Sequence, residues 1–466
     1  MRDTTLNVAD TPSRTLPSGA ESGQVQLYRG EDLAAGLLRR VFHRFPGSIA
    51  VRLWTGATFQ VGARPMPGSA DPPFVLVFRN PRAVGMIALA RDPLRLADAY
   101  FRGDVDIEGD LFAALGIKDH LESLKIPIVG SLITLFTALR LVLANPQRAP
   151  MADRYAPPQG PKVRAHSDQE NREAIRFHYD VSNEFYSLWL DLAMVYSCGY
   201  FEQPGTSLDD AQQGKLEHIC RKLLLKPGEK LLDIGCGWGA LVMYAAQKYG
   251  VIAHGITLSE QQLSVARQRI AEAGLEGRVS VELMDYRELK EVSAYDKIAS
   301  VGMFEHVGLS NLPLYFSIVH RLLKPSGLLL NHGITHAQTG GAKDISTRFI
   351  NRYVFPDGEL DSISNIQNVM ERACFEIADV EALRPHYALT LRAWAARLEL
   401  CHVRALEFVS EATYRIWRLY IAACALEFES GGIGIYQVLA SKRDAGSLKL
   451  PLTRRHLYDR FAADCS

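Results

Sequence analysis

Asp233, Gly235, Gly237 and Gly239 spell D-x-G-x-G-x-G directly after a short apolar run. Glycines at those positions let a chain turn tightly and bring its backbone against a ligand without Cβ clashes. The loop falls where a strand hands over to a helix, a place suited to a nucleotide-like cofactor. Dinucleotide-binding loops share the idea, but their spacing is GxGxxG, and their next strand ends in an acid for the ribose hydroxyls. Here the next strand ends in GITLS, so Thr257, with Leu258 beside it, and Gln262 are the neutral groups left to hold a ligand. Asp285 and Tyr286, after the third strand, are placed to hold an adenine ring.

A second concentration is RFHYDVSNEFYSLWLDLAMVYSCGYF (176–201), where aromatic side chains crowd around His178 and Cys198. By default such a cysteine is a buried apolar side chain and the rings are core. His332, alone at the end of the apolar run LLLNHGIT, would ordinarily be a core histidine too. The C-terminal ends of strands are, however, where doubly wound sheets place ligands. The charges of EQQLSVARQRIAEAG read as a solvated helix face.

The elements that must position these groups alternate. From about residue 170, KLLDI, VIAHGIT, RVSVEL, YDKIASV and LLLNHGIT read as strands separated by helices of ten or more residues. That pattern implies an α/β fold with a doubly wound, mostly parallel sheet and right-handed crossovers. The last ~80 residues read as mainly helical. Upstream, IAVRLWTGATFQVG and FVLVFRN read as strands and 88–115 as helix, a small α+β domain. Five prolines in NPQRAPMADRYAPPQGPKVRAHSDQEN mark a linker. The expected organisation is a disordered tail (1–25), an N-terminal α+β domain (26–145), a linker (146–170), a catalytic domain (171–445) and a C-terminal tail (446–466).

Bulk properties bound the function. Of 466 residues, 47% are apolar, and 52 basic side chains balance 52 acidic ones, which argues against a nucleic-acid binder. Seven scattered cysteines without a CxxC pair argue against zinc or a disulfide framework and fit a reducing cytoplasm. The polar N-terminus has no apolar signal region. IPIVGSLITLFTALRLVLA (126–144) is about as long as a membrane span, but Arg140, Pro127 and Gly130 favour a buried or interfacial helix.

HYDVSNEFYSLWLD (178–191), YSCGYFE (196–202), LDIGCGWGAL (232–241), GITLSEQQ (255–262), SVGMFEHVG (300–308) and NRYVFPDGEL (351–360) occur in this order. Together they resemble the cyclopropane-fatty-acyl-phospholipid synthases and the mycolic acid cyclopropane synthases that share their core. LLDIGCGWG itself resembles the first motif of class I methyltransferases. The resemblance covers about residues 165–445, and it implies S-adenosylmethionine as cofactor. Tyr179, Tyr196 and Ser197 would then touch that cofactor together with the loop residues above.

What the resemblance further implies is methylene transfer onto the cis double bond of an acyl chain, through a carbocation. A bound bicarbonate serves as base in that family. Cys198, Glu305, His332, Ile334 and Tyr387 match its holders, while Asn331 and Gly333 depart from the family's pattern. A developing cation calls for aromatic walls and exclusion of water. Cys198 would mark the anion site by its backbone, with an inert thiol. Expected partners are unsaturated phospholipid chains at a membrane surface, met by a cytoplasmic, peripherally attached homodimer. Methyl-branched rather than cyclopropane products, and a catalytically degenerate lipid-binding protein, stay open. A small-molecule methyltransferase fits the loop but leaves the aromatic cluster without a purpose.

Overall fold

The structure, a computed structural model, describes residues 21–62, 72–90, 92–123, 128–145, 181–336, 348–349, 352–353, 359–443 and 450–458. The expected linker, Tyr179 and most of NRYVFPDGEL lie outside them. The chain divides into two compact units, Met1–Asp153 and Arg154–Ser466.

In the first unit helix α1 (Glu21–Phe42) precedes strands β1 (Ser48–Arg52), β2 (Thr58–Gly62) and β3 (Phe74–Phe78). Helices α2 (Pro81–Ala90) and α3 (Pro93–Phe101), strand β4 (Val105–Gly109) and helices α4 (Leu111–Leu115), α5 (Ile117–Ser123) and α6 (Ile128–Ala144) follow. The sheet order is β2-β1-β3-β4, with β1 and β3 parallel. Two expectations change here. The stretch 88–115 is not one helical region, because Gly103 and Gly109 take left-handed φ and Val105 and Ile107 alternate as a strand between them. Asp92 and Asp110 cap the helices on either side through their carboxylates. The expected tail 1–25 ends sooner, since α1 starts at Glu21. Once Ala34, Leu37, Leu38 and Val41 are buried, extending the helix backwards needs no new nucleus.

α6 buries Thr134, Ala138 and Leu141 and leaves Leu132, Ile133, Leu135, Phe136, Leu139 and Leu143 exposed, Phe136 to 70% and Leu143 to 71%. No helix among the described residues is long and apolar enough to cross a membrane.

Among the described residues the second unit begins with the single turn α7 (Asn183–Ser187) and helix α8 (Leu208–Lys222). Then come β5 (Lys230–Ile234), α9 (Ala240–Tyr249), β6 (Ile252–Thr257), α10 (Glu260–Glu272), β7 (Val279–Leu283) and β8 (Tyr295–Val301). Helix α11 (Leu312–Leu322) leads into β9 (Leu323–His336), and α12 (Ile363–Arg372) into β10 (Phe375–Ala382). Helices α13 (Arg384–Leu400), α14 (His402–Ala405) and α15 (Glu411–Ser430) precede β11 (Ile433–Lys442) and α16 (Arg455–Tyr458). The sheet order is β10-β11-β9-β8-β5-β6-β7, parallel except at β11, which pairs antiparallel with both neighbours. Leu216, Ile219, Val242, Ala245 and Ala266 fill one face of the sheet, and Tyr315, Phe316, Val319, Ile366 and Met370 fill the other.

β11 departs from the expectation of a helical C-terminal stretch. Its buried run Gln437–Ser441 is covered on both faces and so lacks the alternation that marks a half-exposed strand. The expected C-terminal tail also holds structure: Leu457 is buried, its carbonyl accepts from Arg221 Nη1, and Arg454 pairs with Asp379.

Candidate active site

The glycine loop joins β5 to α9, and Gly235, Gly237 and Gly239 take φ of +83°, +56° and +85°. A side chain would strain each of them. The loop borders a cleft of about 1160 Å³, mouth included. Tyr196, Ser197, Asp233, Gly235 and Gly237 lie in its wall, as do Thr257, Leu258, Gln262, Asp285 and Tyr286. Gly239 does not line the cleft. It starts α9, where a Cβ would come 3.3 Å from Ala266 on α10.

The wall carries polar groups at its back. Asp233 is buried, and its Oδ1 has no hydrogen-bond partner among the described residues. Burial pushes its carboxyl up to about 7, against the pull of Lys215. Thr257 donates to Gln262 Oε1 at 2.7 Å, so this pair fixes itself and offers its remaining polar atoms to the cleft. Asp285 accepts from Arg287 Nε at 2.8 Å and Nη2 at 2.7 Å, which orients its carboxylate.

Sequence reasoning missed Lys215, Trp238, Arg287 and His306, all in the wall. Lys215 Nζ donates to Ser197 Oγ at 3.0 Å, and burial lowers its ammonium to about 8. Lys215 lies on the covered side of the helix with Ala211, Gln212, Leu216 and Ile219, all buried, while Asp210 and Gln213 on the other side are exposed. The Asp-Tyr-Arg spacing of residues 285–287 was the available signal for Arg287.

None of the expected anion holders is in the lining of the cleft, though Cys198 and Glu305 are next in the chain to Ser197 and His306, which are. Met303 and His306 line the cleft, and Glu305 lies between them in the chain. Glu305 Oε1 accepts from Ile334 N at 3.3 Å, which ties it to the end of β9, and Oε2 has no partner among the described residues. Burial raises this carboxyl to about 7. Gly333 makes the approach possible, because a Cβ there would lie 2.0 Å from the Phe304 ring and 2.7 Å from Glu305 Oε2. Any side chain at this position would have to push the ring and the carboxyl apart. His332 is 1% exposed, its Nε2 has no partner among the described residues, and burial with nearby cations holds its pKa well below the usual value.

Cys198 and Tyr387 meet through Leu383. The thiol donates weakly to Gly199 O and Leu383 O, and the latter also accepts from Tyr387 N. Burial pushes the Cys198 thiol far up, so the sulfur stays protonated. Gln212 Nε2 holds the Ser197 carbonyl at 2.8 Å and Thr390 Oγ1 takes the Gly199 N–H at 3.0 Å, which fixes the backbone on both sides of Cys198.

The aromatic stretch divides in two. Phe185, Tyr186 and Trp189 are fully buried and pack on Trp417, with Trp189 also on Trp394. Their role is packing. Tyr196 belongs to both worlds: it lines the cleft and stands 5.2 Å from Trp394 and 5.5 Å from Trp189, ring to ring. Trp238 of the glycine loop joins the cluster through Tyr186 at 5.3 Å.

Comparison with known proteins fits this geometry. Residues 166–438 match the family model described as mycolic acid cyclopropane synthetase. The chain belongs to that family. It is an S-adenosylmethionine-dependent methyltransferase with the class I fold. Among relatives of the cyclopropane synthetase family, a probable fatty acid methyltransferase of Pseudomonas putida is 40% identical over 88% of this chain and 96% of its own length. The cyclopropane-fatty-acyl-phospholipid synthase of Escherichia coli is 40% identical over 59% of this chain and 69% of its own. The crystal structure of mycolic acid cyclopropane synthase CmaA1 with SAH and CTAB superposes at a TM-score of 0.56, with 36% identity, covering 58% of this chain and 98% of that one.

Proposed function

We propose that the protein builds a cyclopropane ring on the cis double bond of an unsaturated acyl chain in a membrane phospholipid. The coarser activity, S-adenosylmethionine-dependent transfer to lipid chains, follows from the family. When bound, S-adenosylmethionine supplies an electrophilic methyl group, and bicarbonate supplies a base of low nucleophilicity. The orphaned polar atoms of the site fit these two ligands. Asp233 Oδ1 is an acceptor without a donor at the cofactor wall, and His332 Nε2 and Glu305 Oε2 stand ready for an anion that both accepts and donates.

Glu305 carries the reading. A carboxylate beside a bound anion would repel it, but a carboxyl raised to about 7 holds a proton for much of the time near neutrality. Glu305 then orients an oxyanion instead of expelling it, and the Ile334 N–H keeps the carboxyl in place. Tyr196 presents an electron-rich face to developing positive charge without a strong nucleophile. The thiol of Cys198, protonated and turned to backbone carbonyls, does not compete for that cation.

The substrate's place in a bilayer gives the exposed α6 face a use: its leucines and Phe136 suit contact with a lipid surface. A homodimer through the same face is the competing occupant. A second product class is favoured by one observation, since the relative that covers 88% of this chain is named a probable fatty acid methyltransferase. Incubating the protein with S-adenosylmethionine and vesicles of unsaturated phospholipid separates the two. Proton NMR of the extracted lipid should show high-field ring signals, and the rate should depend on bicarbonate. Methyl-branched or methylene chains without ring signals would replace the cyclopropane reading by the second one.

A further inference from the structure

His332 on β9 faces Gln437 on β11, and Glu381 on β10 is the partner of Gln437 on its other side. The three side chains form a polar row across adjacent strands of the sheet. Its inner members are fully enclosed, His332 at 1% exposure and Gln437 at 0%. Gln437 Nε2 stands 3.4 Å from His332 Nδ1. At their far sides His332 Nε2 and Gln437 Oε1 have no partner among the described residues. Helix α8 brings two ammonium groups to this region, Lys222, whose Nζ stands 2.5 Å from Glu381 Oε2, and Lys215 nearer the helix start, while His218 Nε2 lies 2.7 Å from the same Glu381 oxygen.

Burial and these cations keep the His332 imidazole uncharged. An uncharged imidazole has a single N–H, and the nitrogen that carries it decides what the ring can offer a ligand. If Nδ1 held the proton, Nε2 would present a lone pair, which repels an oxyanion. If Nδ1 is bare, Nε2–H is a donor. An amide N–H directed at Nδ1 is compatible only with the second arrangement.

We propose that Gln437 is a positioning residue that holds His332 in the Nε2–H tautomer, making it a hydrogen-bond donor to a small oxyanion such as bicarbonate. The inference rests on the bicarbonate reading given above. Gln437 touches no reacting atom in this account and acts only through the imidazole. Its contact is long for a hydrogen bond, so it selects between two tautomers more than it anchors the ring. The ring is held in place by the packed strand around it.

The test uses the full-length protein with histidine-selective 15N labelling. Long-range 15N–1H spectra read the tautomer directly, with the His332 signals assigned by their loss in His332→Gln. The wild type should show Nε2–H. Gln437→Met, of similar volume and without a donor, should show mixed tautomers, and Gln437→Glu should move the proton to Nδ1. In both variants the bicarbonate concentration for half-maximal rate should rise by about tenfold or more, the usual scale for groups that orient a ligand's partner. The S-adenosylmethionine dissociation constant should stay within about twofold, which a general structural defect would not respect. Nδ1–H in the wild type overturns the proposal. A bicarbonate-dependent wild type whose variants keep its tautomer and its half-saturation overturns the role of Gln437 alone. A wild type indifferent to bicarbonate overturns the underlying reading, while the tautomer spectra still judge Gln437 without any anion present.

Discussion

Glu305 joins catalysis to stability through one buried carboxyl. Its pKa is raised to about 7 from 4.5, so between those values the folded protein binds a proton that the unfolded chain has released. Stability therefore falls as pH rises through that window and is then level above it. Glu305→Gln removes the penalty. The variant should gain roughly 2–3 kcal/mol over the wild type at pH 8, and the gain should vanish near pH 4.5, in paired urea titrations. The same substitution should cut turnover by about 100-fold or more while cofactor affinity changes little, since a general acid–base partner is lost and no cleft contact is. Wild-type turnover by this variant would remove Glu305 from the mechanism. Cys198→Ser makes the opposite prediction. Its buried thiol only donates to carbonyls, which a hydroxyl also does, so the rate should stay within about tenfold of wild type in the NMR assay. A complete loss would give the sulfur a part that the geometry does not.

At the scale of elements, the turn holding Glu305 and the end of β9 interlock at Gly333. Gly333→Ala would place a methyl group inside the Phe304 ring and against Glu305 Oε2, so either the turn or the strand must move. A loss of about 1–3 kcal/mol in unfolding free energy, read by urea titration, is expected, the usual scale for overpacking a closed site. Turnover should fall beyond what the stability loss explains, because Glu305 is displaced from Ile334 N. The same interlock shows what a sequence can and cannot announce. The D-x-G-x-G-x-G loop was legible because glycine answers a local demand, positive φ, that leaves its mark on residue type. The contact that demands Gly333 comes from a ring 29 residues upstream, as Phe304 to Gly333 shows, so the glycine looked like a mere departure from pattern. β11 and Lys215 were lost for the same reason: their burial on all sides depends on partners that only the fold assembles. Likewise the aromatic stretch was read as a wall around a cation, whereas Phe185, Tyr186 and Trp189 are packing, and among its described aromatic residues Tyr196 is the one that reaches the cleft.

For the whole molecule, the proposed phospholipid substrate requires that the site meet a chain inside a bilayer. The α6 face offers six large apolar side chains along 17 residues, interrupted by Arg140. Burying one such side chain is worth roughly 1.5–3 kcal/mol. Replacing both Phe136 and Leu143 by serine should therefore cost at least about 3 kcal/mol of lipid contact, a factor of roughly 100 in vesicle partitioning. The substitutions lie at positions exposed to 70% and 71%, so the urea midpoint should not move. Co-sedimentation with unsaturated phospholipid vesicles measures the partitioning, and the rate on detergent-dispersed lipid controls for the site itself. The expected outcome is a steep loss on vesicles with an unchanged rate in detergent. Unaltered partitioning together with a halved mass in solution would instead assign the α6 face to a second copy of the chain, and lipid contact would have to be sought elsewhere.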